Sequence, residues 1–145
     1  MGFLSGMDIS ASGLTAQRMR MDVIAENIAN VDTTRTQDGT PYARKYVVLE
    51  AREGSFSQAL RSASGARQAP GGVRVAEIGA DPARGTPVYN PAHPDADETG
   101  YVQMPNVDVS QEMVDMVAAY RSYEANVTAF TAYKEMALKT LEIGT

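Results

Sequence analysis

The sequence predicts a mainly α-helical protein with a small β unit, in which long N- and C-terminal helices pair as a coiled-coil-like core. Three observations support this class. Apolar residues recur at helical spacing near both ends of the 145-residue chain, two stretches between them alternate as strands do, and all seven prolines lie between the helical segments. We therefore expect a discontinuous helical core of residues 1–34 and 108–145, with a β and loop insertion at 35–107.

The first helix is predicted over about residues 4–31. Its apolar line consists of residues on one helical face: Met7, Leu14, Met21, Ile24 and Ile28. Gly13 lowers the intrinsic stability of this helix by up to about 1 kcal/mol relative to alanine, so the helix depends on a partner. Asn30 is the predicted stop, because asparagine tolerates the left-handed conformation that often ends helices. Asn27 and Asn30 together are expected to end the helix and order the turn after it.

The middle section has the composition of strands joined by long loops. YARKYVVLEA (42–51) is predicted to contain one strand, and GGVRVAEI (71–78) a second one. The polar, small residues of 55–72 predict a loop between these strands, and the proline-punctuated stretch 81–100 predicts another loop.

The last helix is predicted over about residues 109–142, with Asp108 as its N-cap and Gln111 reaching back toward the cap. One apolar line follows coiled-coil spacing: Met116, Tyr120, Tyr123, Val127 and Phe130. Alanines line a nearly opposite face, and a helix that is apolar on two faces must be buried on both. Two arrangements remain open: another chain covers the second face, or the β section folds over the back of an antiparallel helix pair.

Composition excludes several functions. A net charge of −5 with only 13 Lys and Arg disfavours nucleic-acid binding. The absence of cysteine excludes disulfides and thiolate metal sites. The N-terminal stretch MGFLSGMDIS lacks the basic region of a secretory signal, and no run approaches the roughly 20 apolar residues that span a bilayer. We expect neither a cleaved signal nor membrane insertion.

One acidic loop could bind a metal ion, but a solvated turn explains it better. His93 lies near Asp95 and Asp97, and oxygen ligands of this kind can hold Ca²⁺. The spacing does not match an EF-hand loop, and flanking prolines restrict how the loop could wrap an ion. No other residues form a nucleophile, phosphate-binding or acid–base motif. We therefore expect no catalytic residue, no cofactor and no metal.

Two segments resemble a known family. SASGLTAQRMRMDVIAENIANVDTT (10–34) is similar to the N-terminal signature of flagellar axial proteins, the rod and hook family. GYVQMPNVDVSQEMVDMVAAYRSYEANVTAFTAYKEMALKTLEIG (100–144) is similar to their C-terminal signature. The middle stretches PYARKYVVLEA, GGVRVAEI and VYNPAHPDADETGYVQMPNV resemble those of the proximal rod proteins within this family.

The resemblance implies a structural subunit of a hollow helical rod that crosses the periplasm, transmits torque and conducts exported subunits. The implied partners are copies of this chain, other rod proteins and the flagellar type III export apparatus, which exports such chains without a cleaved signal. The expected assembly interface consists of the two apolar lines: Leu14, Met21, Ile24, Ile28, Tyr120, Tyr123, Val127 and Phe130. The alternatives are a generic coiled-coil adaptor or another axial protein of the same family.

Overall fold

The computed structural model describes residues 3–52 and 71–143. Its elements, in chain order, are helix α1 (Phe3–Ala29), strands β1 (Lys45–Ala51), β2 (Val73–Ala80), β3 (Pro87–Tyr89) and β4 (Tyr101–Gln103), and helix α2 (Val109–Ile143). The predicted class is confirmed: two long terminal helices flank a small β region.

The strands form two separate ribbons. Strand β1 pairs with β2, and both lie where the sequence predicts strands; β3 pairs antiparallel with β4. The expectation of an unbroken loop over 81–100 is wrong, because β3 lies within it. A three-residue strand is too short to show an alternating pattern, and Pro87 occupies its first position, where proline is tolerated. The loop predicted over 55–72 lies almost entirely outside the described residues.

Contacts divide the chain into two units that each contain parts of both helices. The first unit comprises the described residues among 1–19, 48–77 and 119–145, and the second comprises 20–47 and 78–118. This grouping differs from the division into a helical core and a β insertion, which stays a prediction. Each unit is described separately below.

The helix ends are fixed by side chains near the predicted positions. The Asn30 side-chain amide donates to the Glu26 backbone carbonyl at 2.9 Å, and Asn30 Oδ1 accepts from the Thr33 hydroxyl at 3.1 Å. The expected left-handed stop is wrong, since no described non-glycine residue has a positive φ. Asp108 caps α2 by accepting from the Ser110 N–H at 2.8 Å. The Gln111 side-chain amide does not reach back to the cap; it donates to Asp115 at 3.5 Å.

In the first unit, glycines bring the two helices close together. A Cβ atom at Gly6 would lie 2.7 Å from the Tyr133 ring, and one at Gly13 would lie 2.8 Å from Asn126 Oδ1. These distances leave no room for a side chain at either position unless its neighbour moves. Gly13 therefore weakens the isolated helix but permits close approach to α2.

Strand β2 is fastened to α1 within the same unit. The Ser12 hydroxyl donates to the Ile9 carbonyl at 2.7 Å and accepts from the Val73 N–H at 3.0 Å. Gly72 precedes this contact with a φ of 90° and has no space for a Cβ beside Ser12 Oγ. The glycine is thus required both by its backbone conformation and by its neighbour.

Gly72→Ala should destabilise the chain more than Gly39→Ala. Both glycines have left-handed φ values, which cost a non-glycine residue about 1–2 kcal/mol, but nothing lies within 4 Å of a Cβ at Gly39. The difference between the two variants therefore isolates the clash with Ser12. Urea unfolding followed by circular dichroism measures it, and equal losses in the two variants would contradict the assigned contact.

Candidate functional site

A fully buried asparagine joins three segments of the second unit. The Asn27 side chain has 0% exposure. Its amide nitrogen donates to the Lys45 carbonyl at 2.9 Å and to Glu112 Oε2 at 3.0 Å. Its oxygen accepts from the Lys45 N–H and the Tyr42 hydroxyl, both at 2.9 Å. An asparagine side chain has two donor hydrogens and two lone pairs, so its hydrogen-bonding capacity is filled.

An ion pair completes this arrangement, which we call the polar cluster: Asn27, Tyr42, Arg44, Lys45 and Glu112. The carboxylate of Glu112 is fully buried, and Arg44 Nε donates to its Oε1 at 2.6 Å. Arg44 also approaches Asp115 at 3.6 Å. Removing one partner of a buried ion pair is far more costly than removing an exposed one, because the remaining charge stays out of water. The polar cluster is therefore well suited to hold α1, α2 and the start of β1 together.

The Tyr42 hydroxyl in this cluster is unsuited to proton transfer. Burial, with the nearby carboxylates of Glu26 and Glu112, raises its pKa to about 12. General acid–base catalysis works best when the pKa lies near the working pH. At neutral pH Tyr42 remains protonated and donates a hydrogen bond to Asn27 Oδ1, which stabilises the fold.

Tyr42→Phe should lower the free energy of unfolding by about 1 kcal/mol at pH 7, because one buried hydrogen bond is lost. The parent should also lose stability as the pH rises from 10 toward 12. In that range the unfolded tyrosine, with its pKa near 10.0, releases its proton while the folded one, with a pKa of about 12, retains it. Urea titrations at pH 7, 10 and 12 should show this loss in the parent and a weaker one in the variant. Identical pH profiles would show that Tyr42 is not held as described.

The predicted interface residues of α1 lie closer to the interior than those of α2. Ile24 is buried with 4% exposure, and Leu14, Met21 and Ile28 are half-buried. On α2, Tyr123 and Phe130 are half-buried, whereas Tyr120 is 52% and Val127 is 40% exposed. The exposed part of Val127 is therefore available to a neighbouring molecule.

Two of the α2 side chains that contact α1, Glu112 and Asn126, are polar, so an apolar pattern does not reveal them. In the second unit Glu112 contacts Asn27, and in the first unit Asn126 and Tyr133 face glycines of α1. Ala119, between them in sequence, has 0% exposure. These four α2 residues recur every seven positions.

Helix α2 exposes many large apolar side chains along its length. Those of the second unit are Met113, Val114 and Val117, and those of the first unit are Tyr120, Val127, Met136, Leu138 and Leu141. Single exposed apolar residues are ordinary, but such a concentration on one helix marks a surface for association. Of the two arrangements left open by the sequence, these exposed side chains favour cover by another chain.

The acidic loop forms hydrogen-bonded turns in the second unit. Asp95 accepts from the Thr34 hydroxyl at 2.8 Å and lies 3.4 Å from Arg35. Asp97 Oδ1 accepts from the Thr99 hydroxyl at 2.6 Å and from the Tyr101 N–H at 2.9 Å, and these bonds lower the pKa of Asp97. Across residues 3–52 and 71–143, no group of three or more potential ligands is placed to hold a metal ion. The carboxylates of Asp95 and Asp97 thus serve local structure.

Neither helix in residues 3–52 and 71–143 combines the length and the apolar character that a membrane span needs.

Two family models match the chain at its two ends. Residues 7–36 match the model described as "Flagella basal body rod protein". Residues 98–143 match the model described as "Flagellar basal body rod FlgEFG protein C-terminal". The matched segments contain most of α1 and all of α2, the two helices that carry the contacts described above.

Curated relatives match over nearly the whole length. The flagellar basal-body rod protein FlgC of Bacillus subtilis is 52% identical over 143 residues, which cover 95% of each chain. The FlgC proteins of Escherichia coli O6:H1 and Borreliella burgdorferi are 45% and 44% identical, and each alignment covers 99% of this chain. At this identity and coverage, the chain belongs to the FlgC family of flagellar basal-body rod proteins.

Proposed function

We propose that this chain is a structural subunit of the bacterial flagellar basal-body rod. The observation that carries the proposal is the outer surface of α2, where Tyr120 and Val127 are exposed on a well-formed helix. The rod proteins from Bacillus subtilis and Escherichia coli align with the chain over nearly their full length. Together with that similarity, the exposed apolar surface of α2 favours a subunit that buries this helix against neighbouring subunits.

The partners are copies of this chain and other rod proteins. An interface that joins different surfaces of successive subunits can repeat without closing, which generates a helical structure. In such a rod the subunits would transmit torque and surround a channel for exported subunits. The chain would reach the basal body through the flagellar export apparatus, without a cleaved signal peptide, and would remain outside the bilayer.

A structural role agrees with the chemistry of the described residues. In the polar cluster the side chains form hydrogen bonds with one another and with the backbone, and these bonds hold α1, α2 and residues 42–45 together. A generic coiled-coil adaptor would need the paired helices, but it would not account for 44–52% identity to rod proteins in alignments that cover nearly the whole chain. The rod is therefore the preferred assignment.

Complementation tests the proposal. A flagellated strain lacking its own copy of this protein should regain swimming and complete basal bodies when the chain is supplied, and an epitope-tagged chain should copurify with the basal bodies. An unrelated secreted coiled-coil protein expressed from the same promoter serves as the control. If the strain belongs to the same species as this chain, and the chain restores neither swimming nor rods, the assignment fails.

A further inference from the structure

Glu112 is an unusual residue for the first turn of a helix that pairs with another. Its side chain is fully buried, whereas acidic residues are rarely buried unless they are paired. Two donors from other segments reach its oxygens: Asn27 on α1 at 3.0 Å, and Arg44 at 2.6 Å. Of these, only Arg44 carries a positive charge.

Arg44 belongs to neither helix. It lies immediately before β1, and its backbone N–H donates to Asn106 Oδ1 at 2.6 Å. The neighbouring Tyr42 and Lys45 bind Asn27, so the whole segment 42–45 docks on the same buried group. Residues 42–45 must therefore be docked for the positive charge of Arg44 to lie beside Glu112.

Without residues 42–45 in place, the contact between α1 and α2 around Glu112 would be energetically unfavourable. With Asn27 as the only partner, Glu112 would be a buried carboxylate with one hydrogen bond and no neighbouring positive charge. Such a group stays solvated or takes up a proton, and either outcome opposes the close contact. The apolar contacts of α1, by contrast, do not discriminate between helix arrangements as sharply as a buried polar group does.

We infer that Glu112 makes the pairing of α1 with α2 in the second unit conditional on docking of residues 42–45, and so permits a single arrangement of the three segments. This device is internal to the chain and does not depend on the proposed rod function. It specifies when and how the helices pair, and the charge of Glu112 stabilises the pair only when Arg44 is in place.

The inference predicts unequal effects of removing the two charges. In Arg44→Met the buried carboxylate is stranded. In Glu112→Met the apolar side chain fits a buried site, while the half-buried Arg44 keeps access to water and to Asp115. Removing both charges should therefore repair most of the damage caused by Arg44→Met. If the two side chains made only an ordinary contact, each single variant would lose that same contact, and the double variant would lose about as much as either single variant.

Hydrogen exchange of the full-length chain, read from peptides covering 20–29 and 109–118, tests the inference. We expect exchange in these peptides to rise at least about 100-fold in Arg44→Met, and to rise less than about tenfold in Glu112→Met and in the double variant. Arg20→Met is the matched control, since Arg20 pairs with Asp115 at 3.4 Å in a more exposed setting, and it should change exchange by less than about tenfold.

The decisive comparison is between Arg44→Met and the double variant. If Arg44→Met does not fold at all, the inference still requires the double variant to fold and to protect both peptides. A double variant as unprotected as Arg44→Met overturns it, as does an effect of Arg44→Met below that of Arg20→Met. Because exchange is measured on the isolated chain, this failure would leave the rod proposal untouched.

Discussion

Asn27→Leu should destabilise the isolated chain by at least about 3 kcal/mol, although leucine is similar in size and favours helices. The substitution removes a fully buried amide and leaves the N–H and carbonyl of Lys45 and the hydroxyl of Tyr42 without their partner. It also removes one of the two donors to buried Glu112. Each stranded group carries a desolvation penalty, so the losses accumulate.

Asn30→Leu provides a matched control on the same helix. Asn30 is half-buried and bonds to Glu26 and Thr33 at the helix end, so its replacement should cost about 1 kcal/mol. Urea unfolding at pH 7, followed by circular dichroism, compares the two variants. Similar losses for both would show that Asn27 only helps to end the helix.

Val127→Asp should abolish rod assembly while leaving the isolated chain folded. Val127 is 40% exposed in the chain alone, so a carboxylate there can remain hydrated. In the proposed rod a neighbouring subunit covers this side chain, and burying an unpaired carboxylate costs several kcal/mol. The loss should recur at every copy of the contact, because successive subunits in a helical assembly use the same interface.

Val127→Ala separates the charge from the lost methyl groups. It keeps the position apolar and raises helix propensity, so we expect swimming to persist. Both variants are scored in the complementation strain by swimming and by basal bodies in electron micrographs. Circular dichroism of each purified chain checks that it is folded. Normal rods containing Val127→Asp would remove this side chain from the assembly interface.

The sequence predicted the elements well because their patterns are local. The helices begin and end within a few residues of the predicted bounds, since both apolar periodicity and the Asp108 cap are properties of neighbouring residues. Strands β1 and β2 were found for the same reason. Strand β3, with only three residues, lies below the length at which alternation becomes visible.

The polar cluster could not be predicted because it depends on tertiary contact. Asn27 was assigned to the helix end, but it bonds to residues 15, 18 and 85 positions away. Glu112 looks like an ordinary acidic residue in the first turn of a helix, a common and exposed position. Only the fold shows that its carboxylate is buried and that Arg44 meets it.

The faces of α2 were assigned by hydrophobicity, and this shifted the predicted packing line. Large apolar residues were taken to mark the buried face of α2, yet Tyr120 and Val127 are exposed while Ala119 is buried. In a subunit that assembles, exposed apolar residues are expected where a neighbour will lie. In the proposed rod, the folded monomer and the assembly would each require a pattern on the same helix, and the sequence alone does not say which residues belong to which pattern.

Cysteine labelling at position 127 tests the central claim most directly. The chain has no cysteine, so Val127→Cys introduces a single reactive thiol. We expect a maleimide to label this thiol readily in the isolated folded chain. In purified basal bodies it should label only after the rods are dissociated, because a neighbouring subunit covers the side chain. Equal labelling of the isolated chain and of intact rods would contradict the proposed assembly surface.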